Sequence, residues 1–240
     1  MQIKNSVALV TGANRGIGRA LVEALIEQGA SRVYATARRR SDLDGLVALD
    51  PKRVVALQVD VTNPVELSDA AAKAKDVTLL INNAGVLDFG SVLDAPTEAF
   101  TRDFNVNFYG PLHSTRAFAP ALVRNKGAVV NVLTVVALAS MPGIGVYNAS
   151  KAAAWSLTQS LRGDLSKKGV QVFGVFPGPV DTDMAKEFPL QKTSPREVAL
   201  ETLAGIEAGV EDIFPDPMSK QVYGAWAVDH KAIERQFAAM

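Results

Sequence analysis

Short apolar runs of strand length alternate with helical patterns along all 240 residues, and that alternation restricts the chain to few architectures. Val7-Ala8-Leu9-Val10 is the first run. Others fall at residues 32–37, 53–59, 77–82, 128–134 and 170–176, with a short one at 212–214. They are predominantly apolar rather than strictly alternating with polar residues, so each strand is expected to be buried on both faces, as in a parallel sheet. Helical patterns lie between the runs, notably at 107–123 and 147–167. The prediction is a doubly wound parallel sheet with helices on both faces, in one α/β domain spanning residues 1–240. In such sheets ligands bind beyond the carboxyl ends of the strands, near the switch point in strand order. Polar clusters fall at these ends: residues 11–18 after the first strand, Arg38 after the second and Asp60 after the third. Asn83-Ala84-Gly85 follows the fourth, Thr134 ends the fifth, and Pro177-Gly178 ends the sixth.

The first cluster, Thr11-Gly12-Ala13-Asn14-Arg15-Gly16-Ile17-Gly18, precedes Ala20, Leu21, Ala24 and Leu25 at helical spacing, with Gly29 as a C-terminal stop. Glycines at 12, 16 and 18 allow a tight turn and a close approach of backbone to ligand. Unpaired N–H groups at the helix start and the helix dipole favour a pyrophosphate there. The spacing is Gly-x-x-x-Gly-x-Gly rather than the commoner Gly-x-Gly-x-x-Gly, and taken alone it also suits an ordinary strand-to-helix turn.

Tyr147 and Lys151 are four residues apart where a helix begins, so phenol and ammonium share one face. A phenol titrates near 10, too high to exchange protons freely at neutral pH. A neighbouring cation favours phenolate and makes the tyrosine usable as an acid or base. A solvated helix face would carry the same pair, so the pair gains meaning only from its place opposite the glycine turn.

Composition excludes several classes. The 25 basic and 25 acidic residues balance, which leaves no electrostatic footprint for nucleic acid or an anionic membrane. The absence of cysteine removes disulfides, thiolate metal sites and cysteine nucleophiles, and fits a cytoplasmic protein. His113 and His230 are the only histidines and lie far apart, so no metal is expected. No charged-then-apolar leader and no apolar run of about 18 residues is present, so neither secretion nor a membrane span is expected.

In order, the turn at 11–18, Asp60-Val61, Asn82-Asn83-Ala84-Gly85, Asn107, the Tyr147/Lys151 pair and Pro177-Gly178 with Thr182 resemble a classical short-chain dehydrogenase/reductase over essentially the full length. The resemblance implies a Rossmann-like sheet of about seven strands that binds NAD(P) and moves hydride between nicotinamide and a carbonyl or secondary alcohol. Extended members such as nucleotide-sugar epimerases are longer and differ in glycine spacing. The implied catalytic set is Asn107, Thr134, Tyr147 and Lys151. Tyr147 would protonate the carbonyl oxygen, Lys151 would hold the nicotinamide ribose and lower the phenol's pKa, and Asn107 would anchor a water. The implied cofactor set is Gly12, Asn14, Arg15, Gly16, Ile17, Gly18, Arg38, Asp60, Val61, Asn83, Ala84, Gly85, Pro177, Gly178, Val180 and Thr182.

One position departs from the family. Thr134 stands thirteen residues before Tyr147, where members carry serine. Its hydroxyl has the same donor and acceptor capacity, with a stiffer χ1. Ser140, on the following loop, is the rival hydroxyl. Members specific for NAD place an acid at the end of the second strand. Ala37 stands there instead, followed by Arg38 and Arg39, with Arg15 inside the turn, which favours NADP(H) over NAD(H). Phe89, Val135, Val136, Met141, Ile144 and residues 184–190 are candidates for an apolar substrate pocket, which points to a carbonyl reductase. Residues between Thr182 and a helix near Ser194 leave room only for a small lid. A homodimer or homotetramer through the helices at 107–123 and 147–167 is expected, with residues 221–240 adding a contact. The readings outside this class are a dinucleotide-binding sensor without turnover and an adenosyl-dependent methyltransferase, which leaves the Tyr147/Lys151 pair unexplained.

Overall fold

The computed structural model describes residues 1–240. The first half runs β1 (Val7–Val10), α1 (Gly16–Glu27), β2 (Arg32–Ala37), α2 (Asp44–Leu49), β3 (Val54–Gln58), α3 (Pro64–Lys73), β4 (Leu79–Asn82) and α4 (Thr97–Phe104). The second half runs α5 (Gly110–Asn125), β5 (Ala128–Val132), α6 (Gly145–Ser166), β6 (Gln171–Val175), α7 (Pro195–Ala208), β7 (Asp212–Ile213), α8 (Pro217–Val228) and α9 (His230–Ala238). All seven strands are parallel, in the order β3-β2-β1-β4-β5-β6-β7, so the doubly wound sheet is as predicted. The switch point lies between β1 and β4.

The period of two along each strand divides the core between two layers. Ala8 and Val10 of β1 join Val33 and Ala35 of β2 and Val130 of β5 beneath α1 and α7. Leu9, Tyr34, Leu80 and Val129, one residue out of step, pack on α3, α5 and α6 through Leu67, Phe118 and Leu165. A third cluster lies past the ends of β5 and β6, where Leu133, Val135 and Phe176 meet Ala154 of α6, Val222 of α8 and Ile233 and Phe237 of α9.

Several strands are shorter than the apolar runs. The run at 128–134 yields a ladder only to Val132, because Leu133 and Val135 turn into the third cluster. The helix expected at 107–123 is also revised. α4 continues into a π-helical turn at Asn105–Tyr109 before α5 starts at Gly110. Pro111 lies four residues after Asn107 and has no N–H for its carbonyl, so an α-helical ladder cannot run through. In the C-terminal stretch Trp226 packs on Trp155 at 5.9 Å and Tyr223 on Phe214 at 4.1 Å, ring to ring, while Tyr223, Val228 and Met240 keep exposed surface.

The glycine turn is fixed by contact rather than by flexibility alone. Gly12 has φ +63°, and a Cβ there would lie 2.9 Å from the Ala84 backbone. A Cβ on Gly18 would lie 2.2 Å from the Gly12 carbonyl oxygen and 2.4 Å from Asn83 Nδ2. Gly18→Ala should therefore cost about 2 kcal/mol, as overpacking does. For a domain of this size that lowers Tm by ~4–8 °C in thermal denaturation. Gly45→Ala, in α2 with open space around the added methyl, should be neutral or stabilise by up to ~1 kcal/mol. Equal melting shifts for the two variants would show that the turn is not close-packed.

Candidate active site

The carboxyl ends of the strands open into one cavity of about 920 Å³, near the upper limit for cofactor and small-molecule sites. Its floor is the glycine turn. Thr11 Oγ1 accepts the N–H groups of Asn83 and Ala84, each at 3.0 Å. Asn83 Nδ2 donates to the carbonyls of Thr11 and Gly12 at 2.9 and 3.1 Å. These bonds hold the end of β4 against the turn after β1. α1 then begins with no side-chain cap from Arg15 and no acid in its first turn, which leaves its N–H groups free for an anion. Gly12, Asn14, Arg15, Gly16 and Ile17 line the cavity, as do Asn83, Ala84 and Gly85 and, on the far wall, Pro177, Gly178, Val180 and Thr182. Gly18 does not line it. Its position is dictated by the close contact with Gly12.

At one end the walls are Ala37, Arg38 and Arg39 against Asp60, Val61 and Thr62. Arg39 pairs with Asp42 at 3.1 Å, whereas Arg38 forms no ion pair. Arg15 pairs with Asp183 at 2.8 Å, and both Arg15 and Arg38 line this cavity. In this arrangement Arg38 is the one available to an anion at the ribose end. Asp60 Oδ1 is already engaged by the backbone and hydroxyl of Thr62, at 2.9 and 2.8 Å.

At the other end stand Thr134, Tyr147 and Lys151. Tyr147 and Lys151 occupy one face of the first turns of α6, both buried. Lys151 Nζ donates to the Val132 carbonyl at 2.8 Å and lies 5.8 Å from the centre of the Tyr147 ring. The Thr134 hydroxyl accepts the N–H of Val136 at 3.3 Å and shares the cavity wall with Tyr147, whose proton affinity it lowers. Ser140 lies elsewhere, in a small hollow with Trp226, His230 and Glu234. Asn107 does not line the cavity. Its Nδ2 donates to the Val86 carbonyl and to Ser150 Oγ, both at 2.9 Å, and its Oδ1 accepts the N–H of Val86 at 3.0 Å. It thereby ties the loop after β4 to α6. A Cβ on Gly85 would lie 3.3 Å from Asn107 Oδ1 and 3.6 Å from Lys151 Nζ, so these three residues meet at one point.

The electrostatics differ from the simple expectation that lysine depresses the phenol. Burial raises the Tyr147 phenol above its ordinary value, the charge of Asp103 adds to this, and the Thr134 hydrogen bond opposes it. Burial also pulls Lys151 down to about 8, against the raising effect of Asp103. The protein alone thus holds a protonated phenol beside an ammonium that titrates near neutrality.

The substrate end is apolar. Val135, Val136, Met141 and Ile144 line it, with Met184, Phe188 and Leu190 on the loop after β6. That loop is pinched at its base, where Asp181 donates to the Thr193 carbonyl at 2.9 Å and Thr193 to that of Pro179 at 3.0 Å. Phe89 does not reach the cavity; it is 55% exposed and packs on Phe188 at 5.5 Å. Sequence reasoning missed Met218, Phe237 and Met240, which complete the wall from α8 and the C-terminal end. Ile233 and Phe237, spaced four apart in α9, signalled an inward face. Met218 is placed by Asp216, whose carboxylate accepts the N–H of Ser219 and that of Gly178, both at 2.8 Å.

Comparison with known proteins agrees with this geometry. The family described as short chain dehydrogenase matches residues 6–193. The 2-(S)-hydroxypropyl-CoM dehydrogenase 3 of Xanthobacter autotrophicus is 35% identical over 216 residues, 87% of this chain and 84% of that one. A short chain dehydrogenase from Burkholderia cenocepacia, solved in complex with NADP, superimposes with a TM-score of 0.93 at 40% identity over 99% of both chains. One from Burkholderia phymatum, in complex with NAD, gives a TM-score of 0.85 at 28% identity over 98% of this chain and 96% of that one. The motifs, the sheet order and these matches agree, and the chain belongs to the classical short-chain dehydrogenase/reductase family of dinucleotide-binding oxidoreductases.

Proposed function

We propose that the protein is an NADP-dependent carbonyl reductase for uncharged, apolar ketones or aldehydes and the corresponding secondary alcohols. The observation that carries this reading is the single cavity that joins Arg38, without an ion-pair partner, to Tyr147, Thr134 and Lys151. NADPH bound there would supply a hydride to the carbonyl carbon. The turn at residues 12–18 and the start of α1 would hold the pyrophosphate, and Arg38 would meet the 2′-phosphate, which a guanidinium binds bidentately. Tyr147 gives its proton to the carbonyl oxygen as charge develops there, and the alcohol leaves the tyrosine as phenolate until it is reprotonated. Thr134 hydrogen-bonds the same oxygen and orients the carbonyl. Lys151, within reach of the phenol ring, stabilises the phenolate and offers its ammonium to the ribose hydroxyls.

The apolar wall supports the substrate class. Met141, Ile144, Phe188, Met218 and Phe237 offer no partner for a charge, and Arg102 at the rim is already paired with Asp88. A charged substrate would be desolvated there without compensation. The intact Tyr147 and Lys151 favour turnover over a sensor, which has no chemical need for them.

Steady-state reduction of uncharged aryl alkyl ketones with NADPH tests the reading. Tyr147→Phe deletes the acid and should lower kcat on the order of 10²–10⁴-fold. Thr134→Val should cost roughly 10²-fold, as loss of a transition-state donor does, while Thr134→Ser keeps most activity. NADPH affinity, measured by fluorescence titration, should change little in all three. A nearly silent Thr134→Val with a crippling Ser140→Ala would assign the wrong hydroxyl. The cofactor is tested separately: kcat/KM should favour NADPH, and Arg38→Asp should move the preference toward NADH. Equal use of both by the unaltered protein would contradict the ribose-end assignment.

A further inference from the structure

Asp103 is a fully buried carboxyl near the site that the proposed reaction does not use. It stands on α4, its side chain is fully buried, and neither carboxylate oxygen has a hydrogen-bond partner. Its neighbour is Asp88, on the loop that follows β4. One Asp88 oxygen pairs with Arg102, and the other is buried without a partner. Three carboxylate oxygens from two adjacent side chains thus lack a donor. Ionised carboxylates only accept hydrogen bonds, and a buried unpaired charge is costly. One proton held between the two satisfies both conditions, since a protonated carboxyl donates to its ionised neighbour.

We propose that Asp103 shares a proton with Asp88 and is a positioning residue for the reaction, acting through Lys151: once ionised, its buried charge holds the lysine in its ammonium form. The proposal rests on the reading of Tyr147 and Lys151 as the reacting pair. The groups facing Asp103 are Asp88 from the loop after β4, Arg102 from its own helix, and Tyr147 and Lys151 from α6, on which α4 packs. Burial pushes Asp103 up to about 7, and the charge of Asp88 adds to this. Asp103 is also the one charge that raises both Tyr147 and Lys151. The signs fit together. As pH rises past about 7 the shared proton is lost, and the new negative charge appears just before Lys151, pulled down by burial to about 8, would lose its own proton. The loss of one proton therefore delays the loss of the other, and Lys151 stays charged at higher pH than burial alone would allow. The proton shared below that point also clasps the loop bearing Val86 and Leu87, both in the cavity wall, onto α4.

Asp103→Asn separates charge from packing, because its amide can still donate to the Asp88 carboxylate. The primary measurement is the titration of Lys151 Nζ, followed by NMR in protein labelled with [15N]lysine, with Lys151→Met assigning the signal. It needs no turnover, so it stands apart from the proposed function. Asp103→Asn should lower the Lys151 midpoint by about half a unit or more, while Asp88→Asn, which leaves Asp103 ionised with a donor beside it, should not. With a ketone that is turned over, Asp103→Asn should match the unaltered enzyme at pH 6 and lose about threefold in kcat on the alkaline limb, with NADPH affinity unchanged, half a unit being a factor of about three in an equilibrium. An unmoved Lys151 midpoint in Asp103→Asn would overturn the proposal, as would a loss of kcat uniform in pH, which marks a purely structural role. A moved midpoint in a protein that turns over no carbonyl would sustain the coupling and reject the reductase reading.

Discussion

Two side-chain amides at the end of β4 keep the two halves of the cleft in register. Asn82 donates to Asn131 on β5 at 2.8 Å and to Thr115 on α5 at 3.3 Å, and Asn131 donates onward to Thr158 on α6 at 2.9 Å. Asn83 turns the other way and takes the carbonyls of the glycine turn. The strand at the switch point is therefore bonded on one side to the floor of the dinucleotide cleft and on the other to the helix that carries Tyr147 and Lys151. Each bond contributes about 1 kcal/mol net, but breaking one strands a buried amide, at ~1–3 kcal/mol. Such a network specifies geometry more than it adds stability. Asn107 extends it by one step, from Val86 in the wall to Ser150 in α6.

The same burial that fixes this geometry sets the proton affinities. Tyr147 is held as a neutral phenol and Lys151 is brought down to about 8, so desolvation outweighs their mutual influence in the protein alone. In the reduction proposed above, a phenol kept protonated through neutral pH suits a proton donor, and the charge Tyr147 would then acquire needs a counter-charge, which Lys151 supplies only while it is an ammonium. Excluding water makes that counter-charge effective, since the attraction grows as the local dielectric falls.

Much of this was legible in the sequence because it depends on local pattern. The apolar runs Val7-Ala8-Leu9-Val10 and Leu79-Leu80-Ile81 fit a doubly covered sheet, which brings the polar residues after each run to one edge. The i, i+4 spacing placed Tyr147 and Lys151 on one helical face, and Thr134 reached Tyr147 because the β5 ladder stops two residues before it. What stayed hidden depends on contacts between distant segments. Nothing local to Arg15 announces Asp183, 168 residues away. Nothing in α9 tells a face that caps its own pocket from one that waits for another chain, so the place of Phe237 in the cavity wall is not legible locally. The π-helical turn at Asn105–Tyr109 had a local sign in Pro111 that was read only as part of a continuous helix. Nothing local to Asp103 announces its full burial, which comes from the packing of α4 on α6.

The central claim is that this cavity passes a hydride from a nicotinamide to a carbonyl carbon while Tyr147 protonates the oxygen. It is tested most directly with NADPH deuterated at both C4 positions of the nicotinamide, turned over with an uncharged aryl alkyl ketone. The account predicts one deuterium per product molecule, bonded to the carbinol carbon and in one configuration. Alcohol without the label on that carbon, or bound NADPH that no ketone or aldehyde consumes, would contradict it.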